Sequence, residues 1–249
     1  MTKPEINREV AKKVLETVDR GLSCGLGEPV PGQMCVEAAV CYALGLPHSD
    51  DPKCVGYAVR QFKICLNDKS WSSPEARAKG LRRVAIAQLG SDSIDQRAFV
   101  EEVVLQTVRQ ILPIVLRAAG SMIPGHKEAL ELVSVSCESI TAFSQAREIA
   151  LKAKSAAYAA YAAYAAYAAA YAAYAAYAAA YAADADADAA AYAADAAAAA
   201  AAAYAAAADA DADDRKEKRD SILSIAAEIA VQALIKLGSK GCEWLDLCE

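Results

Sequence analysis

Two short stretches hold the residue types that could do chemistry. Residues 21–37 read GLSCGLGEPVPGQMCVE, a glycine-rich loop running into an apolar segment. Such a loop can present backbone N–H groups at the positive end of a helix, which suits a phosphate or a carboxylate. Gly25, Gly27, Glu28 and Gln33 are the candidates in the loop, and Glu37 lies one helical turn beyond it. The Gly-Lys-Ser/Thr ending of a P-loop is missing and no strand precedes the glycines, so neither nucleotide fingerprint is satisfied. An ordinary interhelical loop is the plainer reading. The second stretch is His48-Ser49-Asp50-Asp51. There His48 beside Asp50 could form an acid–base pair or hold a metal. Against this, Asp51 reads as a helix N-cap with Pro52 in the first helical position, which makes the stretch a polar turn.

Two further features concern charge. A carboxylate at Glu37 amid Val36, Ala38, Ala39 and Val40 needs a partner or a raised pKa, and Arg60, Arg82 or Arg83 is expected to supply that partner. Lys53, Arg60 and Lys63, with Arg77, Lys79, Arg82 and Arg83 further on, predict a basic strip across two helices. That strip would receive an acidic partner, a phosphate or the chain's own aspartates. The eight cysteines contain no C-x-x-C pair, and only His48 and His126 could add imidazole ligands, so no metal and no cofactor is expected. Small buried helix residues are the reading for the thiols. No nucleophile, base and orienting group stand at a recognisable spacing. Binding is therefore expected over catalysis.

The elements that must position these residues are helical throughout. Residues 4–22 carry Ile6, Val10, Val14, Leu15 and Val18 at helical spacing. Residues 33–44 form a nearly all-apolar helix ending at Gly45, expected at the centre of the core. A third helix is expected to start at Asp51-Pro52 and to pass through Val55, Val59, Phe62 and Leu66. Ser73-Pro74-Glu75 starts a fourth, closing at Gly90. Ser93 with Gln96 reads as a capping box for a fifth helix, kinked or stopped near Pro113 and finished at Gly120. A further run opens at Pro124 and carries Leu130, Val133, Cys137, Ile140 and Ile149. The pattern predicts an all-α helical bundle over residues 1–154.

The remainder, residues 155–249, differs in composition. Tyrosines at 158, 161, 164, 167, 171, 174, 177 and 181 interrupt alanine, and aspartates alternate with alanine at 184, 186 and 188. Alanine has the highest helix propensity, so this segment reads as helix, with a break at the aspartates folding it into a hairpin. The tyrosines recur slightly faster than the helical turn of about 3.6 residues, so their row slants round the helix and can fill gaps between alanine faces. A tandem repeat tolerated for its helicity is the bland alternative. An amphipathic last helix with Ile222, Ile225, Ala226, Ile229 and Leu237 follows, and Trp244 is expected to dock the end onto the bundle.

Charge and composition narrow the partners. The net charge of −6 divides into +2 for residues 1–154 and −8 for the rest. Aromatics interleaved only with aspartate repel phosphate, which disfavours nucleic acid, and alanine with tyrosine lacks the apolarity of a membrane span. No charged leader with an apolar run opens the chain, so a cytoplasmic protein is expected. The Ala-rich pattern broken by Tyr and Asp, preceded by a helix, the Asp50-Asp51-Pro52 turn and another helix, resembles all-helical immunity proteins of bacterial toxin systems. The segment MCVEAAVCYALGLPHSDDPKCV is also similar to segments of uncharacterised tailed-phage proteins. That resemblance implies a helical protein that neutralises another protein, and it carries over no functional residue.

The leading expectation is thus a helical interaction protein with a protein partner, such as a toxin or a defence factor. The alternatives are a small anionic ligand or a hydrolytic site at Gly25, Gly27, Glu28, Gln33, Glu37, His48 and Asp50, and an oligomer built through the Ala/Tyr helices.

Overall fold

The computed structural model of the chain describes residues 5–164 and 212–249, with positions 193, 195, 196, 199, 200 and 202 between them. Among these residues the fold is all α, and its one β-type pairing is an isolated antiparallel bridge between Gly27 and Met34. The hairpin break expected at residues 184–188 and most of the tyrosine row lie outside the described residues. The chain divides into two compact units, Met1–Phe99 with Ala227–Glu249, and Val100–Ala226. Composition had placed a single boundary after residue 154, yet the helix there runs through that point without interruption.

In the first unit, α1 (Arg8–Val18) starts where the Asn7 side chain accepts the N–H groups of Glu9 and Val10, and it buries Val14, Leu15 and Val18. It packs on α2 (Val36–Ala43) and α4 (Pro74–Ala87). Every residue of α2 except Tyr42 is buried, as its apolar run predicts. Helix α3 (Tyr57–Asn67) begins six residues later than the expected Asp51 cap. Residues 52–55 make a turn closed by Val55 N–H on the Pro52 carbonyl, and the Asp51 carboxylate pairs with Arg60 and Lys53 instead. Gly56 at the α3 cap has no side chain to offer, and Gln96 Oε1 accepts the Ala58 N–H at 3.2 Å in its place.

That use of Gln96 dissolves the capping box read with Ser93. Helix α5 (Gln96–Gln106) is capped by Asp95, whose Oδ1 accepts from Arg97 and Ala98, while the Ser93 hydroxyl donates to the Gly90 carbonyl. The Ser73 cap of α4 stands as predicted, accepting the Ala76 N–H at 3.1 Å with Pro74 in the first turn. Phe62 and Phe99 meet edge to face at 6.3 Å between ring centroids. The end of α9 (Ala212–Lys236) and a 3₁₀ segment (Lys240–Cys248) complete this unit. The 3₁₀ segment lies against α4 and α1: Gly241 N–H donates to Leu89 O, Ser239 Oγ donates to Ala87 O, Asp246 pairs with Arg8, and Trp244 is buried.

In the second unit α5 passes through a π turn (Thr107–Ile111) into α6 (Leu112–Met122). Pro113 has no N–H to return to residue 109, and just before it the helix widens, with Leu112 N–H donating to Thr107 O. The helix continues past Gly120 because its stop is Pro124, opening a 3₁₀ turn (Pro124–His126). The run expected from there is two helices, α7 (Lys127–Ser139) and α8 (Phe143–Tyr164). They part at residues 140–142, where Gln145 Oε1 accepts the N–H groups of Thr141 and Ala142. Helix α6 packs on α7 and α8, and Arg117 bridges α6 to Glu131 and Glu138 of α7.

Candidate functional site

The loop ahead of α2 folds back on itself. Ser23 N–H donates to Met34 O, Glu28 N–H to Gln33 O, and Cys35 N–H to Leu26 O. At Gly27 φ is +70° and a Cβ would overlap the Gln33 carbonyl and the Ser23 hydroxyl, so only glycine fits. His48 closes the loop from outside with Nε2 3.0 Å from the Gly27 carbonyl oxygen, a contact that requires Nε2 to carry the proton. The imidazole is thus a clasp on the loop. A contact to Asp68, the residue capping the end of α3, completes the fold-back: its Oδ1 accepts the Gly25 N–H at 2.7 Å.

These bonds bear on the anion reading of the loop. The N–H groups of Gly25, Glu28 and Cys35 are engaged within the protein, and the α2 N-terminus is capped by Cys35 Sγ, which accepts from Ala38. Those donors are not open to a phosphate.

Glu37 is the centre of what remains. It is fully buried, and the partner expected among Arg60, Arg82 and Arg83 is Lys63, also fully buried, with Nζ 2.7 Å from Glu37 Oε1 and a second contact to Gln88 Oε1. Burial pushes the Glu37 carboxyl above and the Lys63 ammonium below the usual range, because taking either charge out of water outweighs its partner's attraction. The three arginines are committed elsewhere: Arg60 to Asp51, Arg82 to Asp19 and the Cys248 carbonyl, and Arg83 to Glu228. Lys63 and Arg77 are buried, the latter donating to the carbonyls of Asn67, Leu22 and Lys69. The basic strip is therefore not a continuous surface: Lys63 and Arg77 are in the core, Arg60, Arg82 and Arg83 are paired within the chain, and Lys53 and Lys79 remain exposed.

Beside Glu37 lies a small cleft of about 30 Å³, lined by Gly25, Asp50, Asn67 and Asp68 along with Glu37 itself, and walled by Ile64. Three of the residues singled out from sequence, Gly25, Glu37 and Asp50, thus come together. Gly27 and His48 hold the adjoining loop, and Glu28 and Gln33 are exposed on it and do not line the cleft. Asn67 and Asp68 were not read from sequence. Their signal was a pair of short polar residues closing a helix, which is ordinarily only a stop. Among the described residues no three His, Cys, Asp or Glu side chains converge as metal ligands. The buried thiols of Cys35, Cys41 and Cys54 are poor nucleophiles: burial raises Cys35, and carries Cys41 up to about 12 and Cys54 up to about 11.

No protein-family model matches the chain, and no curated protein or solved structure matches it either.

Proposed function

We propose that this chain is a helical interaction protein that binds another protein and can neutralise it by doing so. The observation that supports this reading is an apolar row on the outer face of α7. Leu132 is 70% exposed and Val135 is 51% exposed, one helical turn apart, and Pro124 extends the row within a shallow groove edged by Glu128 and Glu131. Single exposed leucines are commonplace, but a contiguous apolar groove on a helix fits an amphipathic segment of a partner.

The test compares wild type with Leu132→Asp/Val135→Asp in cross-linking and capture from host lysate, with thermal midpoints measured in parallel. A partner held by wild type and lost by the equally stable variant supports the reading; identical capture by both removes it. Light scattering identifies the case in which the occupant is a second copy.

A small-ligand reading is favoured by one specific observation, the convergence of Gly25, Glu37 and Asp50 on a single cleft. A hydrolytic role gains nothing from it, because His48 is turned to the Gly27 carbonyl and burial keeps the Cys35 thiol protonated.

A further inference from the structure

We propose that the cleft beside Glu37 recognises a protonated primary amine. The inference deepens the small-ligand reading and reverses the charge that the glycine-rich loop suggested.

The polar atoms facing this cleft are an excess of acceptors. Asn67 is 1% exposed and its amide orientation is set by two acceptors: Nδ2 donates to Ser23 O at 2.9 Å and to Asp68 Oδ1 at 2.8 Å. Oδ1 is consequently the end left over, and it has no hydrogen-bond donor within the protein. Glu37 repeats the arrangement. Lys63 Nζ sits 2.7 Å from Oε1 as an ion pair, and Oε2 has no donor within the protein. Buried acceptors left without donors are costly and uncommon, so two on one small cleft point to a donor from outside.

The rest of the lining specifies that donor. Asp50 and Asp68 add exposed carboxylates, and the Gly25 N–H, which could have served an acceptor, is taken by Asp68. Glu37, Asp50 and Asp68 line the cleft and no lysine or arginine does, the Lys63 ammonium and Arg60 guanidinium acting on Glu37 from outside its lining, so the cleft favours a cation. A cleft of about 30 Å³ admits an ammonium head and excludes a phosphate or a nucleotide. A metal ion would need converging ligands that the described residues do not form. A primary ammonium has three N–H donors and no acceptor, which matches the acceptors of Glu37, Asp50, Asn67 and Asp68, while Leu26, Val36 and Ile64 line the cleft with apolar surface for the carbon attached to it.

The ammonium could belong to a free amine or to a lysine side chain of a protein. The full-length protein is titrated at constant ionic strength with methylammonium, Nα-acetyl-lysine methylamide, tetramethylammonium and inorganic phosphate, read by thermal midpoint and calorimetry. Methylammonium is expected to raise the midpoint in a saturable manner, whereas tetramethylammonium, which has no N–H, is not. Asp50→Asn, at an exposed position that leaves the fold intact, is expected to weaken methylammonium at least fivefold. Tighter binding of the lysine analogue assigns the site to a protein side chain, and equal or weaker binding assigns it to a free amine. Absence of any amine response overturns the proposal, as does an equal response to tetramethylammonium or an unchanged Asp50→Asn titration. Binding of phosphate alone overturns it too, while leaving the small-ligand reading standing.

Discussion

Glu37 and Lys63 are where the energetic stakes of single residues are highest. Lys63→Met strands a buried carboxylate and is expected to cost about 3–5 kcal/mol. Glu37→Leu/Lys63→Met, which removes both charges, is expected to restore wild-type stability or exceed it by about 1–4 kcal/mol. Urea denaturation of the single and double variants measures the coupling. The pH dependence has a defined sign. Because the folded carboxyl titrates above its unfolded value of 4.5, the native state holds the extra proton, and stability falls as pH rises from 4.5 through the folded pKa. Because the folded ammonium titrates below 10.5, the unfolded state holds the extra proton, and stability rises as pH climbs from the folded pKa to 10.5. The double variant lacks both trends, so the difference between the two proteins isolates them. The need for a partner at Glu37 was legible from its apolar neighbours. Its identity was not, because Lys63 shares the buried face of α3 with Val59, Phe62 and Leu66, and a lysine reads as surface until packing encloses it.

Helix boundaries test the same point at the scale of elements. Ser73-Pro74 and Asp51-Pro52 carry the same start signal, and only the first begins a helix. At Asp51 the carboxylate is drawn to Arg60 and Lys53, and α3 receives its cap from Gln96, thirty-eight residues from the N–H it serves. Ser73→Ala and Asp95→Ala are each expected to cost about 1 kcal/mol. Ser93→Ala, which caps nothing in α5, is expected to cost less than about half of that. Denaturation midpoints of the three variants would distinguish the observed caps from the box read in sequence. Proline marked its own positions only in part: the helix widens to a π turn just before Pro113, but α6 runs on past the expected stop at Gly120 to end at Met122, before Pro124. What capping and breaking cannot show is which distant side chain will take a vacant backbone donor.

At the scale of the whole molecule, the C-terminal 3₁₀ segment docks on α4 and α1 within the first unit. Gly241 lies so close to α4 that a Cβ would overlap the Ile86 carbonyl, while its own N–H donates to Leu89 O. Gly241→Ala is expected to lower stability by about 3 kcal/mol, against about 0.5 kcal/mol or less for the exposed neighbour Glu243→Ala. Thermal midpoints measure both, and an unaltered Gly241→Ala protein would show that the segment does not bear on α4 as described. The sequence by itself determined the all-α class, the burial of α2, the helix at Ser73 and the anchoring role of Trp244, because each rests on periodicity, propensity or a single large apolar side chain. Only the tertiary structure decided that Lys63 would pair with Glu37, that Lys63 and Arg77 of the basic strip would turn inward while its other arginines pair within the chain, and that Asn67 and Asp68 would join Gly25, Glu37 and Asp50 at one cleft. Those outcomes depend on which faces meet across long sequence separations, where charge and hydrogen-bonding partners are chosen by proximity and desolvation and not by local order.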